Sequence, residues 1–223
     1  MFWIAVKNTI IFCVVAVTAN IVITLFLAKI ISVLPSKGMK TFFRTILFIP
    51  CIAPIVGTSM VWKYGMVGTD GGLLNRILGL MGMPPRNWFL TTWQLLAIII
   101  VYTLWADIGY NVVLFTAGIE AVPKVFDEAA ELDGAGPIRR FIMIKLPLMG
   151  RTFAFVAIMT MANYFQMFAQ FSVFVPDGGR NNAAMVLTNY VYRTSFGSYD
   201  MGYASAVAAG LFANCIYCCY DSE

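Results

Sequence analysis

The strongest constraint on the fold is an apolar run from Asn8 to Leu34, which carries no charged residue before Lys29. A membrane-spanning helix needs about 20 predominantly apolar residues, so this run is long enough to cross a bilayer before Pro35 ends it. The whole chain shares this character, because 60% of its residues are hydrophobic and only 12% are charged, against about 25% charged residues in soluble domains. These features predict an all-α fold, a polytopic transmembrane helical bundle.

Four further apolar runs bring the predicted bundle to about five spans. They cover approximately residues 42–62, 92–119, 152–175 and 203–219. The run over residues 42–62 contains Pro50 and Pro54, so we expect a kinked or partly unwound helix there. The first run is longer than the apolar region of a signal peptide and lacks a small-residue cleavage site, which predicts a retained helix.

Lysine and arginine residues near the span ends predict the orientation, because cytoplasmic loops carry an excess of them. Nine lie on one predicted side: Lys29, Lys37, Lys40, Arg44, Lys124, Arg139, Arg140, Lys145 and Arg151. Six lie on the other: Lys7, Lys63, Arg76, Arg86, Arg180 and Arg193. We therefore place the first side, with residues 120–151, in the cytoplasm. Met1 then lies outside, and we expect a further helix upstream of this sequence.

The sequence lacks the motifs of common catalytic and nucleotide-binding sites. It contains no histidine and no G-x-x-x-x-G-K-[ST] loop, so neither a histidine-based site nor P-loop ATP binding is expected. Cys215 and Cys218 form a C-x-x-C, which without a second pair or a histidine is typical of membrane cysteines rather than of a zinc or redox site. We therefore predict a chain that is not an enzyme, with no catalytic or metal-binding residues, no cofactor and no nucleic-acid partner.

The charged segment from Glu128 to Met149 interrupts the apolar runs. Pro123 is suited to open a short helix, Gly134 and Gly136 to end it, and Pro137 to open a second helix, which Leu146 and Pro147 should stop. One interpretation is an amphipathic linker lying on the lipid headgroups. The first helix is net acidic, however, and anionic headgroups repel it, which favours docking against another protein.

The same segment carries a spaced motif, E-A-A-x3-G-x9-I-x-L-P. Its fixed positions are Glu128, Ala129, Ala130, Gly134, Ile144, Leu146 and Pro147. The segment resembles the EAA loop of ABC importer permeases. Further stretches, among them "FFRTILFIPCIAPIVGTSMVWKY", "LWADIGYNVVLFTAGIEAVP" and "SFGSYDMGYASAVA", resemble the carbohydrate-uptake branch, the relatives of the maltose, glycerol-3-phosphate and multiple-sugar permeases. The resemblance extends in order to about Phe212.

The resemblance implies a single permease domain over residues 1–223, in the bacterial cytoplasmic (inner) membrane. Such a permease pairs with a second permease, two cytoplasmic ATPase subunits and an extracytoplasmic solute-binding protein, and it moves a sugar or sugar derivative by alternating access. ATP hydrolysis then takes place on the partner ATPase. Residues 120–151 correspond to the coupling loop, with Glu128, Ala129 and Ala130 as the docking face, Gly134 as the turn, and Ile144, Leu146 and Pro147 at the exit. Relatives have one more helix at the start, and the C-terminal sequence here is atypical.

Polar residues inside the spans are candidates for the solute pathway. Asn163, Gln166 and Gln170 are spaced to share one face of the fourth span, with Tyr164 and Phe168 beside them, and amides next to aromatic rings suit a sugar. The alternative is interhelical hydrogen bonding. Asp107, in the middle of the third span, must face the bundle interior, where it either lines the pathway or belongs to a packing network.

Two other functions remain open from the sequence. One is an ion-gradient secondary transporter or channel, which calls for paired intramembrane charges or inverted repeats, and Asp107 is the only acid deep in a predicted span. The other is a vestigial or truncated permease fragment. For an importer, a neutral sugar is favoured over glycerol-3-phosphate, because no basic residue lies deep in a predicted span.

Overall fold

The computed structural model describes residues 1–69, 71–176, 178, 179, 182 and 184–220, with side chains described as far as Ala213. Every regular element among these residues is helical. The predictions that concern Arg180, Cys215 and Cys218 lie outside the described side chains.

The described chain forms twelve α-helices, three of which continue into π-helical turns. The α-helices are α1 Phe2–Ser32, α2 Lys37–Ile52, α3 Ile55–Met60, α4 Leu73–Leu80, α5 Thr92–Ala121, α6 Lys124–Leu132, α7 Pro137–Arg140, α8 Leu146–Leu148, α9 Gly150–Phe165, α10 Ala169–Phe174, α11 Leu187–Tyr192 and α12 Met201–Tyr220. The π-helical turns are Val61–Met66, Phe141–Lys145 and Arg193–Gly197.

Three helical stretches are long and apolar enough to cross a membrane: α1, α5 and Gly150–Phe174. The pair formed by α2 and Ile55–Met66 passes the same test as one bent span, broken where the sequence predicted a kink. The fifth predicted span corresponds to α12, whose apolar part Met201–Ala213 is shorter. The all-α membrane fold is therefore confirmed.

The contacts divide the chain into two compact units. The first contains Met1–Ala16, Ala53–Leu104 and Ala162–Asp221, and the second contains Val17–Ile52 and Trp105–Met161. All nine cations predicted to be cytoplasmic belong to the second unit, and the described cations assigned to the other side, Lys7, Lys63, Arg76, Arg86 and Arg193, belong to the first.

In the first unit, Tyr102 of α5 organises the packing. Its side chain is fully buried, and its hydroxyl donates to the carbonyl of Ile55 at 3.0 Å and lies 2.8 Å from the hydroxyl of Thr58. Its ring lies 5.6 Å from that of Trp62 and 5.3 Å from that of Phe174. These contacts hold the second half of the bent span against α5 and α10. The hydrogen bonds also give the hydroxyl of Tyr102 the partners that a buried polar group needs.

The second unit has an apolar core and a buried polar contact. The core consists of Ala28, Phe115, Ile119, Phe141, Met149 and Val156. Beside it, the side-chain amide of Asn111 donates to Asn20 at 2.6 Å and to the hydroxyl of Thr160 at 2.9 Å. Because the three residues lie on α1, α5 and α9, the hydrogen bonds join three helices where apolar side chains alone give little specificity.

Two glycines of α5 allow its neighbours in the second unit to approach closely. A Cβ atom at Gly109 would lie 2.0 Å from the carbonyl oxygen of Leu47, and one at Gly118 would lie 2.9 Å from the methyl group of Thr152. Small residues at such positions are how membrane helices gain packing contacts without a hydrophobic driving force. Gly109 therefore fixes the contact of α5 with α2, and Gly118 its contact with α9.

Candidate functional site

The first arm of the predicted coupling loop is α6, and it ends in a glycine turn. Gly134 has a φ of +75°, which residues with a side chain rarely adopt. The backbone N–H of Ala135 donates to the carbonyl of Ala130 at 2.9 Å, and that of Gly134 donates to Glu131 at 3.0 Å. These two bonds form a Schellman motif, so the turn assigned to Gly134 is present in the structure.

The second arm begins at Pro137. The sequence predicted that it would stop at Leu146 and Pro147, but it continues past them. It runs through α7, the π-helical turn Phe141–Lys145 and α8 before a turn at Met149. In the π-helical turn, the N–H of Leu146 donates to the carbonyl of Phe141, five residues earlier. This wider turn accommodates Pro147, which lacks an N–H and would collide with the fourth preceding carbonyl of a regular α-helix.

Two ion pairs hold the arms of the loop together. Lys145 Nζ lies 2.5 Å from the carboxylate of Asp127, and Arg140 Nη1 donates to the carboxylate of Glu131 at 2.6 Å. Both acids lie on α6, one turn apart, and both cations lie on the second arm. These four charged residues therefore brace the loop.

Apolar contacts fix the second arm to the membrane helices of its own unit. Phe141 is only 9% exposed and belongs to the apolar core, against which Leu146 also packs. The ammonium group of Lys29, from α1, lies 4.7 Å from the centre of the Phe141 ring, a cation–π contact. Ile144 is half-buried and Pro147 is exposed. The motif residues of the exit thus differ in burial.

A row of exposed residues remains on the free face of α6. We call Val125, Glu128, Ala129 and Leu132 the docking stripe, because their spacing places them on one face of the helix. Val125 is 70% exposed and Leu132 is 90% exposed, and both Glu128 and Ala129 are exposed. Within the described part of the chain, Glu128 makes no ion pair. Exposed leucine and valine beside an unpaired acid are typical of a surface that a partner covers.

Ala130 departs from the predicted docking face. It is 7% exposed, so other residues of the chain cover its side chain. The two alanines of the motif therefore have different surroundings, because consecutive residues of a helix are about 100° apart. Ala129 belongs to the docking stripe, whereas Ala130 is covered within the chain itself.

The predicted solute-pathway residues do not lie on one continuous helical face. The fourth span is interrupted between α9 and α10, so Gln166 lies in the break and Gln170 lies on the next helix. Asn163 and Gln166 are exposed, whereas Gln170 is 3% exposed. Tyr164 is 2% exposed, and its ring lies 6.0 Å from that of Phe12. Only the first two amides are open to a solute within their own unit.

Phe168 is the last residue of the break, and it lines an apolar cavity of about 320 Å³ in the first unit. Its ring lies 4.9 Å from that of Tyr192, which in turn lies 5.1 Å from Phe196. The hydroxyl of Thr188, also at this cavity, donates to the carbonyl of Met167 at 2.6 Å, which satisfies a backbone group freed by the break.

Asp107 is half-buried and belongs to the second unit. The buried amide pair of that unit, Asn20 and Asn111, was missed as a pair by sequence reasoning. Asn20 is fully buried in the middle of α1. Asn20 could have been found by the criterion that identified Asp107, which is a polar residue inside an apolar span.

The fold and the braced loop define a class, an all-α membrane protein with an exposed apolar and acidic stripe on a short helix. Residues 20–222 match the family described as binding-protein-dependent transport system inner membrane component. The chain therefore belongs to this family of inner membrane components.

Curated relatives and solved structures agree with this assignment. The chain is 28% identical over 212 residues to the arabinooligosaccharides transport system permease protein AraP of Halalkalibacterium halodurans, covering 94% of this chain and 66% of the relative. It is 30% identical over 199 residues to the lactose transport system permease protein LacF of Rhizobium radiobacter, covering 88% and 66%. The chain thus spans just under two thirds of either relative.

The fold is shared with a solved transporter. A chain from a bacterial ABC transporter involved in the import of the acidic polysaccharide alginate superimposes with a TM-score of 0.88, at 19% identity. The match covers 98% of this chain and 76% of that chain.

Proposed function

We propose that this chain is the transmembrane permease subunit of an ATP-driven importer that carries a sugar or sugar derivative. The observation that supports this proposal most is the docking stripe on a loop braced by ion pairs, in a member of a binding-protein-dependent transport family. In this proposal the stripe lies in a groove of a cytoplasmic ATPase. The energy for transport then comes from ATP hydrolysis on that partner, and this chain performs no catalysis.

The loop's construction suits the transmission of force. A short helix that is ion-paired to its second arm, and whose second arm is packed into the membrane core, moves as one body rather than bending. Closure of two ATPase subunits would displace such a loop together with the helices it contacts. A second, similar permease completes the pathway, and an extracytoplasmic binding protein delivers the solute, so the pair alternates between inward-open and outward-open states.

Reversing the charge of Glu128 tests this role. In the transporter reconstituted with its ATPase and binding protein, Glu128→Lys should lose most of the solute-stimulated ATP hydrolysis while the assembly still forms, because the exposed acid is placed to meet a cation of the ATPase. The matched control is Arg76→Glu, an equal charge reversal at an exposed residue of α4. Normal solute stimulation in Glu128→Lys would contradict the proposed function.

We infer the class of solute from the names of the relatives and from residues of the first unit. The names of two relatives specify arabinooligosaccharides and lactose, both neutral sugars. Asn163 and Gln166 offer exposed amides that can donate to and accept from sugar hydroxyls. We include both in the proposed solute route, with Phe168 of the same unit as a further candidate, and Asp107 of the second unit is kept as a separate candidate.

Removing an exposed amide should weaken solute recognition. We expect Asn163→Leu and Gln166→Leu to raise the KM of solute uptake by about tenfold each, since a lost hydrogen bond costs about 1 kcal/mol or somewhat more. Gln170→Leu serves as the comparison, because its buried side chain should leave KM unchanged. An unaltered KM in both exposed variants would remove these amides from the route.

The ion-gradient alternative has little support. Membership in a binding-protein-dependent family favours an importer powered by a separate ATPase. Solute uptake that persisted without any ATPase partner would favour the alternative instead.

A further inference from the structure

The stem of the coupling loop carries an ion cluster that the sequence did not reveal. Glu120, in the last turn of α5, accepts a hydrogen bond from Nη2 of Arg44 at 2.7 Å, and it lies 3.5 Å from Nζ of Lys40. An acid at the C-terminal end of a helix is disfavoured by the helix dipole, so the two cations of α2 offset an unfavourable position. Glu120 precedes the first residue of α6 by only four positions, which places the cluster at the base of the loop.

A second contact joins the same two helices further along. The backbone of α5 at Gly109 touches that of α2 at Leu47, where an added Cβ would lie 2.0 Å from the carbonyl oxygen. Gly109 and Glu120 are separated by eleven residues, or about 16 Å of helix. Since the partners on α2 occur in the reverse order, α2 and α5 lie antiparallel and are fixed at two separate points. A displacement of either helix must then also move the other.

The cluster also faces the ion pairs of the loop. A cavity of about 340 Å³ in the second unit is lined by Lys40 and Glu120 and by the residues of two loop pairs, with Glu128 of the docking stripe at the same cavity. These pairs are Asp127 with Lys145 and Glu131 with Arg140. Residues of the stem cluster and of both loop pairs therefore line one space, and α6 lies four residues beyond Glu120 along the chain.

We propose that the Arg44–Glu120 pair is a positioning contact for transport, which passes a displacement of the coupling loop to α2. The inference rests on the proposed function, because it presumes that an ATPase moves the loop. α2 is the first half of the bent span, so the contact connects the loop to the helix pair that a transporter of this kind can most readily rearrange.

A purely stabilising role accounts for the pair less well. The side chains of Arg44 and Glu120 retain 27% and 41% of their exposure, and partly exposed pairs contribute little to stability. In the described residues the Nε of Arg44 is buried without an acceptor, so the guanidinium group depends on Glu120 for its charged partner. Loss of Glu120 should therefore weaken the contact between α2 and the base of the loop, while the contact between α2 and α5 at Gly109 is retained.

A double-mutant cycle tests the inference in the full transporter, reconstituted in proteoliposomes with its ATPase and binding protein. The variants are Arg44→Met, Glu120→Gln and the two combined, and the measured quantity is the ratio of solute-stimulated to basal ATP hydrolysis for each assembled complex. We expect each single change to lower the ratio about three- to fivefold, and the double variant to be no worse than the more affected single variant. Arg44→Lys, which keeps the charge, should retain most of the stimulation.

The control is Lys37→Met, which removes a positive charge from an exposed residue of the same helix, one that has no ion pair in the described structure. This variant should keep the native ratio. A native ratio in both single variants would overturn the inference, and so would a loss that merely follows a reduced yield of assembled complex. Glu128→Lys, measured alongside, separates the two proposals: if it also keeps full stimulation, the docking role of the loop has failed as well.

Discussion

Replacing Gly109 by alanine is expected to separate α2 from α5 and to destabilise the permease strongly. The new Cβ would lie 2.0 Å from the carbonyl oxygen of Leu47 and 2.6 Å from the Cα of Phe48. Both neighbours are backbone atoms, so no side chain can rotate away, and the two helices must move apart. Overpacking of this kind costs roughly 1–3 kcal/mol, and backbone contacts place this site at the upper end or beyond.

The measurement is the thermal unfolding midpoint of the purified permease, together with the fraction that elutes as a single folded species from size-exclusion chromatography. A loss of about 3 kcal/mol should lower the midpoint by about 6–12 °C in a chain of this length. Gly57→Ala is the matched control, since a Cβ at that helical glycine meets nothing within 4 Å. Alanine is the better helix former, so the control should match or exceed the native midpoint. Equal midpoints for the two variants would show that the close approach at Gly109 is not required.

The features that were predicted correctly from the sequence depend on local chemistry. Gly134 ends α6 because the left-handed turn suits glycine, and Pro137 opens the second arm because its fixed φ fits a first helical turn. The long apolar runs likewise specify membrane helices without reference to any distant residue. Such features are readable because neighbours along the chain determine them.

The features that were missed depend on residues far apart in the chain. Arg44 and Glu120 are separated by 76 positions, and Asn20 and Asn111 by 91, so no local spacing pairs them. The assignment of both motif alanines to one docking face failed because it ignored the rotation between consecutive residues of a helix. The pathway residues were placed on one helical face because an unbroken helix was assumed. The break at residues 166–168 contains no proline or glycine, so the sequence gives no signal for it.

Introducing an aspartate at Leu132 is expected to prevent the ATPase from binding. Leu132 is 90% exposed in this chain alone, so the change leaves the fold of the permease intact. If the docking stripe is covered in the transporter, the variant loses the burial of a leucine, worth about 1.5–3 kcal/mol, and also buries a carboxylate at the contact. The affinity for the ATPase should then fall by at least about tenfold.

The central claim, that this chain is driven by a separate ATPase docked on the stripe of α6, is tested most directly by the amount of ATPase that co-purifies with the permease. Leu132→Asp should yield permease at the native level with little or no ATPase. Leu80→Asp, a change at an equally exposed leucine of α4, should retain the full complement. Native amounts of ATPase with Leu132→Asp, or equal losses in the two variants, would contradict the account.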